Sequence, residues 1–256
     1  MQSDTKRPPR WRRVGKVLHT FSLYYLVGIW CYLFFVLPYR RSGKLIVHGQ
    51  ERYEAALKRG RVVIVANHPA VIESYFLSVL LCGSFWKSIP ELWPYSLPDP
   101  ATFLPRWLWW FFPLIRCVTV QRGNASSRSR ALVRSIELLR EGECLVIHPE
   151  GGRTTKGTEF IFGPEGRKLR IPLEQGVTTI VGAAIDVEVL PVWIAVQGET
   201  LTHVLSFSEA FKRGLEITIG EPFAVSSREK GRVGRTKVLN EIALQILHAN
   251  HTPRLK

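Results

Sequence analysis

Three short polar clusters hold the residues best suited to chemistry. The first is Asn67-His68-Pro69-Ala70-Val71-Ile72-Glu73. Proline suits the first turn of a helix, where its missing N–H has no partner to lose, so His68 falls at a helix entrance. Glu73 lies five positions further on. On a straight helix that spacing is off-face, but a histidine just outside the helix can fold back towards it. A carboxylate on one ring nitrogen fixes the tautomer, and the other nitrogen can then take a proton from an attacking hydroxyl, an effect worth about 10²–10⁴ in rate. The second cluster, Cys117-Val118-Thr119-Val120-Gln121-Arg122-Gly123, offers the Arg122 guanidinium, whose fork of donors matches phosphate. The third is His148-Pro149-Glu150-Gly151-Gly152-Arg153-Thr154. Gly151 and Gly152 let backbone N–H groups approach an anion, Arg153 adds a cation, and Glu150 could hold an arginine or a substrate hydroxyl. His148 reads as a structural histidine without a role of its own.

The elements that must position these clusters alternate between strand and helix. Arg61 to Ala66 (RVVIVA) is a β-branched run of the kind covered on both faces of a sheet, and it ends at the first cluster. Further strands are expected at Leu45 to Val47, Cys117 to Gln121, Cys144 to Ile147, Val187 to Val196 and Leu215 to Gly220. Helices are expected at Glu51 to Lys58, Ala70 to Leu81, from Ser126 or Ser127 to Arg140, Leu173 to Ala184 and Lys237 to Ala249. Pro90 to Pro105 is punctuated by proline and reads as irregular. Ser226 to Lys237 reads as a basic, mobile stretch. The order predicts an α/β fold with a largely parallel sheet flanked by helices. Loops at strand ends then carry the chemistry.

Val17 to Leu37 contains no Asp, Glu, Lys or Arg and is long enough for a bilayer, which needs roughly 20 apolar residues. Basic residues flank it on both sides, from Lys6 to Lys16 and again at Arg40, Arg41 and Lys44. A single crossing would leave one basic cluster outside, against the positive-inside tendency. A membrane-embedded helical hairpin dipping into one leaflet, broken near Gly28, keeps both clusters on one face. The chain thus divides into a basic tail (1–16), a membrane-embedded segment (17–38) and a main domain (39–256). Phe103 to Ile115 is a second aromatic stretch, suited either to an interface anchor or to a buried aromatic core.

Composition narrows the class. Of 256 residues, 46% are hydrophobic and 22% charged, which excludes disorder across the whole chain. A formal net charge of +14 calls for an anionic partner. Eight Trp and thirteen Phe interleaved with basic residues favour a membrane surface over nucleic acid. The four cysteines include no Cys-x-x-Cys pair and read as reduced, placing the main domain on the cytoplasmic face of a membrane.

The three clusters together resemble the glycerolipid acyltransferase family, which includes 1-acylglycerol-3-phosphate acyltransferases. That family carries Asn-His-x4-Asp, a block ending in Arg, a Pro-Glu-Gly-x-Arg block and a late apolar block with Pro. Here these stand as Asn67-His68 with Glu73, Arg122, Pro149-Glu150-Gly151-Gly152-Arg153 and Val189-Leu190-Pro191-Val192-Trp193-Ile194. The resemblance spans about residues 45 to 220. Glutamate replaces the usual aspartate, and the second block lacks its usual Phe-Ile. The resemblance implies His68 as general base and Glu73 as its orienting partner. Asn67, Arg122, Glu150, Gly151, Gly152 and Arg153 would line the acceptor site. It also implies an acyl thioester on coenzyme A or acyl carrier protein as co-substrate, with no resident cofactor or metal. The partners would be membrane lipids and the donor carrier, with no nucleic acid. Two other classes compete. A thioester hydrolase could use the same histidine on water, although no Gly-x-Ser-x-Gly is present. A basic, non-catalytic membrane-surface or RNA-binding protein fits the charge but leaves the ordered clusters unexplained.

Overall fold

The computed structural model describes residues 32–69, 77, 93–103, 116–121, 123–184, 186–198, 209, 212–225 and 231–249. A short π-helical turn, Tyr32–Val36, runs into α1 (Leu37–Arg41). There follow β1 (Leu45–His48), α2 (Gln50–Arg59), β2 (Val62–Ala66), β3 (Tyr95–Ser96) and a helical turn α3 (Pro100–Phe103). Next come α4 (Ala125–Arg140), β4 (Leu145–Ile147), β5 (Glu159–Phe162), β6 (Lys168–Ile171) and α5 (Gly176–Ala183). The described chain continues through β7 (Glu188–Val196), β8 (Leu215–Ile219), β9 (Phe223–Ala224) and α6 (Gly231–Leu247).

The main sheet has the order β1-β8-β7-β2-β4-β3. β2 pairs in parallel with β4 and with β7, β3 with β4, and β1 with β8. β7 is antiparallel to β8 and β9. β2 lies at the centre because its sequence has no polar side chain to offer water. All five of its residues are fully buried, and they alternate between two apolar clusters. Val62, Ile64 and Ala66 face a layer containing Tyr53, Ala56 and Leu57 of α2. Val63 and Val65 face a layer containing Leu138 and Leu139 of α4, Val177, Ile180 and Val181 of α5 and Ile242, Ile246 and Leu247 of α6. Fully burying one such side chain stabilises the fold by about 1.5–3 kcal/mol. A sheet sandwiched by helices is therefore what this strand requires.

The class expected from the sequence is thus the class found, and most elements fall within two residues of their expected bounds. Four differ. Cys117 to Gln121 forms no strand; Cys117 makes one isolated bridge to Ser96, and Val118 and Val120 donate to Ser96 and Pro98. Its partner β3 is too short to support a ladder. Asn124, not Ser126 or Ser127, caps α4, accepting the Ser127 N–H at 3.0 Å, while the Ser127 hydroxyl accepts from Gln121 N. α6 begins at Gly231, so much of the stretch expected to be mobile is helical. β5 and β6 form an antiparallel hairpin that was not anticipated. α5 also starts at Gly176, three residues past Leu173, because the Glu174 N–H is held by the Pro149 carbonyl.

The helix expected at Ala70 to Leu81 lies outside the described residues except for Leu77, which is helical and buried. Most of the aromatic stretch from Phe103 to Ile115 also lies outside them, as does the apolar segment before Tyr32. Of its described residues, Leu33 and Phe34 are exposed while Val36 is fully buried, and Tyr39 just beyond it is nearly so. Among the described residues no helix is long and apolar enough to cross a membrane.

Replacing a β2 residue should test the sandwich directly. Ile64→Ala is expected to cost about 2–5 kcal/mol, whereas Ile46→Ala on the partly exposed β1 should stay within about 1 kcal/mol, both measured by chemical denaturation.

Candidate active site

β2 and β4 are hydrogen-bonded parallel neighbours, with Val65 opposite Ile147. Their carboxyl ends therefore emerge side by side, one leading into Asn67-His68 and the other into His148 to Thr154. Sheet order alone brings together two clusters separated by about 80 positions. Open α/β sheets place their ligand sites at such strand ends.

Asn67 is fully buried. Its side-chain amide donates to the Ile194 carbonyl at 2.8 Å and its side-chain oxygen accepts the Ile194 N–H at 2.7 Å. The side chain thus extends the β2–β7 ladder by one rung. It was expected to touch substrate; its two polar atoms instead fasten the histidine-bearing segment to the sheet.

Both main-chain groups of His68 are held by the loop after β4. Its N–H donates to Glu150 Oε1 at 2.7 Å, and its carbonyl accepts the Thr154 N–H at 2.8 Å. Glu150 Oε1 also accepts the Thr154 hydroxyl at 2.7 Å, and Oε2 accepts the Arg170 N–H at 2.9 Å. Glu150 is only 2% exposed. A buried carboxylate needs such donors, and here three of them come from three separate segments. Glu150 was expected to contact an arginine guanidinium or a substrate hydroxyl. Its carboxylate is instead directed inward, onto the backbone that carries His68.

His148 stacks on His68, with ring centroids 4.5 Å apart and planes inclined by 21°. Its Nδ1 lies 3.1 Å from the carbonyl oxygens of both Ala66 and Asn67. Two acceptors require a proton on Nδ1, which fixes the tautomer of a neutral His148. Sequence reasoning gave this residue no role. The signal was available in the sheet register, since the residue after Ile147 must lie beside the residue after Ala66, but the strand order was not.

The glycines are crowded by side chains of this same chain. Gly151 has φ +62°, and a Cβ there would lie 2.6 Å from Glu174 Oε1. A Cβ on Gly152 would lie 2.5 Å from Arg170 Nη1. Arg153, half-buried, precedes a 3₁₀ turn at Thr154–Lys156. Glu73 and Arg122 lie outside the described residues. Thr154, Arg170 and Glu174 were not singled out individually from the sequence. Arg170 comes from β6, where no strand was expected, and Glu174 from the turn beyond it, which was expected to be the first turn of a helix.

Two thiols are described. Burial pushes Cys117 up to about 12 and Cys144 up to about 11, so neither forms the thiolate that nucleophilic catalysis would need near neutrality.

A histidine at a parallel strand end is thus locked through its backbone to a Pro-Glu-Gly-Gly-Arg loop. A family model described as Acyltransferase matches residues 44–195, more than half of the chain. The chain belongs to that family, the glycerolipid acyltransferases such as 1-acylglycerol-3-phosphate acyltransferases. The match runs from the residue before β1 almost to the end of β7 and contains the whole of the site described above. No curated protein matched the chain.

Burial outweighs the hydrogen bonds to Glu150 and raises its carboxyl above the ordinary value. Folding therefore favours the protonated acid. The stability tied to this ionisation is fullest below the ordinary carboxylate range of about 4 and declines as pH rises through the raised value. Glu150→Ala is expected to cost about 1–3 kcal/mol, because three donors lose their acceptor. Denaturation at several pH values should show the gap from the parent narrowing as pH climbs above the ordinary carboxylate range.

Proposed function

We propose that this enzyme moves a fatty acyl group from a thioester of coenzyme A or acyl carrier protein to a hydroxyl of a lysophospholipid such as lysophosphatidic acid. His68 acts as the general base. Its ring takes the proton of the acceptor hydroxyl as the oxygen attacks the thioester carbonyl carbon. The tetrahedral intermediate collapses, the C–S bond breaks, and the imidazolium returns the proton to the departing thiolate. The thioester is already activated, so no covalent enzyme intermediate is needed, in keeping with the raised pKa values of the two described thiols. Glu73 holds the ring in the productive tautomer, while Arg122 and Arg153 neutralise the acceptor's phosphate. No metal enters the step.

Family membership supports the reaction class. The observation that carries the assignment of His68 is its backbone: both polar groups are fixed by the Glu150–Thr154 loop at 2.7 and 2.8 Å. A base must be held in place to gain from proximity. His148 supports the ring from one side.

We further propose that the enzyme works at a membrane with its main domain on the cytoplasmic face. The apolar run from Val17 to Leu37 between basic flanks would be the anchor, lying in one leaflet as a hairpin. Because Val36 and Tyr39 belong to the core, the anchor must be removed upstream of them.

Two measurements test this reading. His68→Ala should abolish transfer of labelled acyl groups to a lysolipid, with a circular dichroism spectrum like the parent's, and Glu73→Gln should be nearly as damaging. Transfer by both variants at the parent rate contradicts the mechanism. Deleting residues 1–31 should release the protein from sedimenting vesicles; a truncated chain that still sediments overturns the anchor.

A further inference from the structure

The outward face of the β5–β6 hairpin has no part in the site described above. Register and alternation decide which residues it presents. Phe160 lies opposite Arg170 and Phe162 opposite Lys168, and in a pleated pair those four side chains share one face. Ile161 and Leu169 take the other face. Leu169 is fully buried, and Ile161 packs on the apolar layer of α4, α5 and α6. The turn is fastened as well. Arg167 donates to the Leu247 carbonyl at 3.0 Å and lies 5.1 Å over the Trp193 ring. A Cβ on Gly163 would lie 2.9 Å from Leu247 Cβ. The hairpin is thus held to the domain by its back, which leaves the outward face on view.

That face is aromatic and basic. Phe162 is 74% exposed, more than any other large apolar residue described, and the Lys168 ammonium lies 5.1 Å over the Phe160 ring. None of the four residues is acidic, and the acid in the turn, Glu165, is drawn to Arg167 at 3.5 Å. Rings beside cations suit a membrane–water interface, where aromatic side chains sit at headgroup depth and basic ones meet anionic lipid.

The topology sets this face at the catalytic end of the sheet. The Arg170 N–H is held at 2.9 Å by Glu150, in the loop that follows β4. Phe162 and Lys168 stand one rung further along the hairpin, about 7 Å away. β1 starts at the same end. Leu45 pairs with Leu215, which pairs with Val196 at the end of β7, and Gln197 donates to the Gly43 carbonyl at 3.1 Å. Since β7 runs parallel to β2, the stretch from Tyr32 to Arg41 leads into the sheet at the end where His68 leaves it. Val36 and Tyr39 of that stretch join the apolar layer on one side of the sheet, and the hairpin packs on the layer of the other side.

We propose that the outward face of the β5–β6 hairpin is a second membrane contact, which lays Phe162 among the headgroups of an anionic bilayer. Together with the N-terminal anchor it holds the His68 end of the sheet against the lipid surface. The proposal rests on the reading of the chain as a membrane enzyme with a lipid substrate. One anchor leaves the domain free to turn on the membrane; contacts on both sides of the sheet fix its orientation. A lysolipid held in the bilayer then lies beside His68.

Photocrosslinking of the full-length protein tests the contact. Benzoylphenylalanine replaces Phe162 or, separately, Val133, which is 57% exposed on α4. Each protein is irradiated on vesicles of equal parts phosphatidylcholine and phosphatidylglycerol. Lipid adducts at position 162 well above those at position 133 are expected. Equal adducts at the two positions, no lipid adduct at 162, or crosslinks from 162 to a second copy of the chain in place of lipid overturns the contact. Kinetics supply a second readout. Phe162→Glu should lower kcat/KM about tenfold on lysophospholipid carried in those vesicles, the partitioning lost with one buried ring. Its rate on a short-chain lysophospholipid dissolved as monomers should match the parent's. No loss on vesicles, or an equal loss on both substrates, contradicts the proposal. The two readings fail separately. Lipid adducts at position 162 in a protein that transfers no acyl group refute the enzyme reading and leave the contact standing, whereas transfer without adducts refutes the contact alone.

Discussion

One buried carboxylate organises this protein's candidate site. Glu150 accepts from the His68 N–H, the Thr154 hydroxyl and the Arg170 N–H. These donors belong to the segment after β2, the loop after β4 and strand β6. Glutamine in its place would turn its NH2 towards one of these three donors. Desolvation of the acid is the cost of this arrangement, and it appears as the raised pKa. Thr154 completes the lock by returning its N–H to the His68 carbonyl. The histidine's position is then set by backbone hydrogen bonds, independently of whatever its ring touches.

That lock depends on the sheet. β2 can deliver His68 beside the loop because β4 is its parallel neighbour, with Val65 and Ile147 in register. β7 on the other side supplies Ile194 for the Asn67 amide. The central strand is therefore held by apolar packing along its length and by polar contacts at its exit. Packing provides the stability, and the contacts past Ala66 provide the geometry. His148 uses the same exit, stacking on His68 with Nδ1 committed to the Ala66 and Asn67 carbonyls.

Much of this was legible in the residues. RVVIVA announced a strand covered on both faces, and Asn-His-Pro and His-Pro-Glu-Gly-Gly-Arg announced the loops that end β2 and β4. What periodicity could not reveal was which strand ends are neighbours, so the contact between His148 and His68 was missed. The roles given to Asn67 and Glu150 reflected the same gap. Both are polar residues in a chemically rich cluster, and only burial and partners show that they point at the backbone. The β5–β6 hairpin was missed although Glu159-Phe160-Ile161-Phe162 and Lys168-Leu169-Arg170-Ile171 flank a Gly-Pro-Glu-Gly turn. With it went Arg170 and its place against Gly152. The early start of α6 was hidden because Val233 is exposed and Gly234 buried there, which leaves no apolar stripe to read.

The account predicts that the base acts on a lipid hydroxyl and not on water. The most direct measurement follows a labelled acyl thioester incubated with the purified full-length protein, with and without a lysophospholipid acceptor. Consumption that requires the acceptor and yields the doubly acylated lipid is the expected result. Equal consumption without the acceptor, releasing free fatty acid, would contradict it.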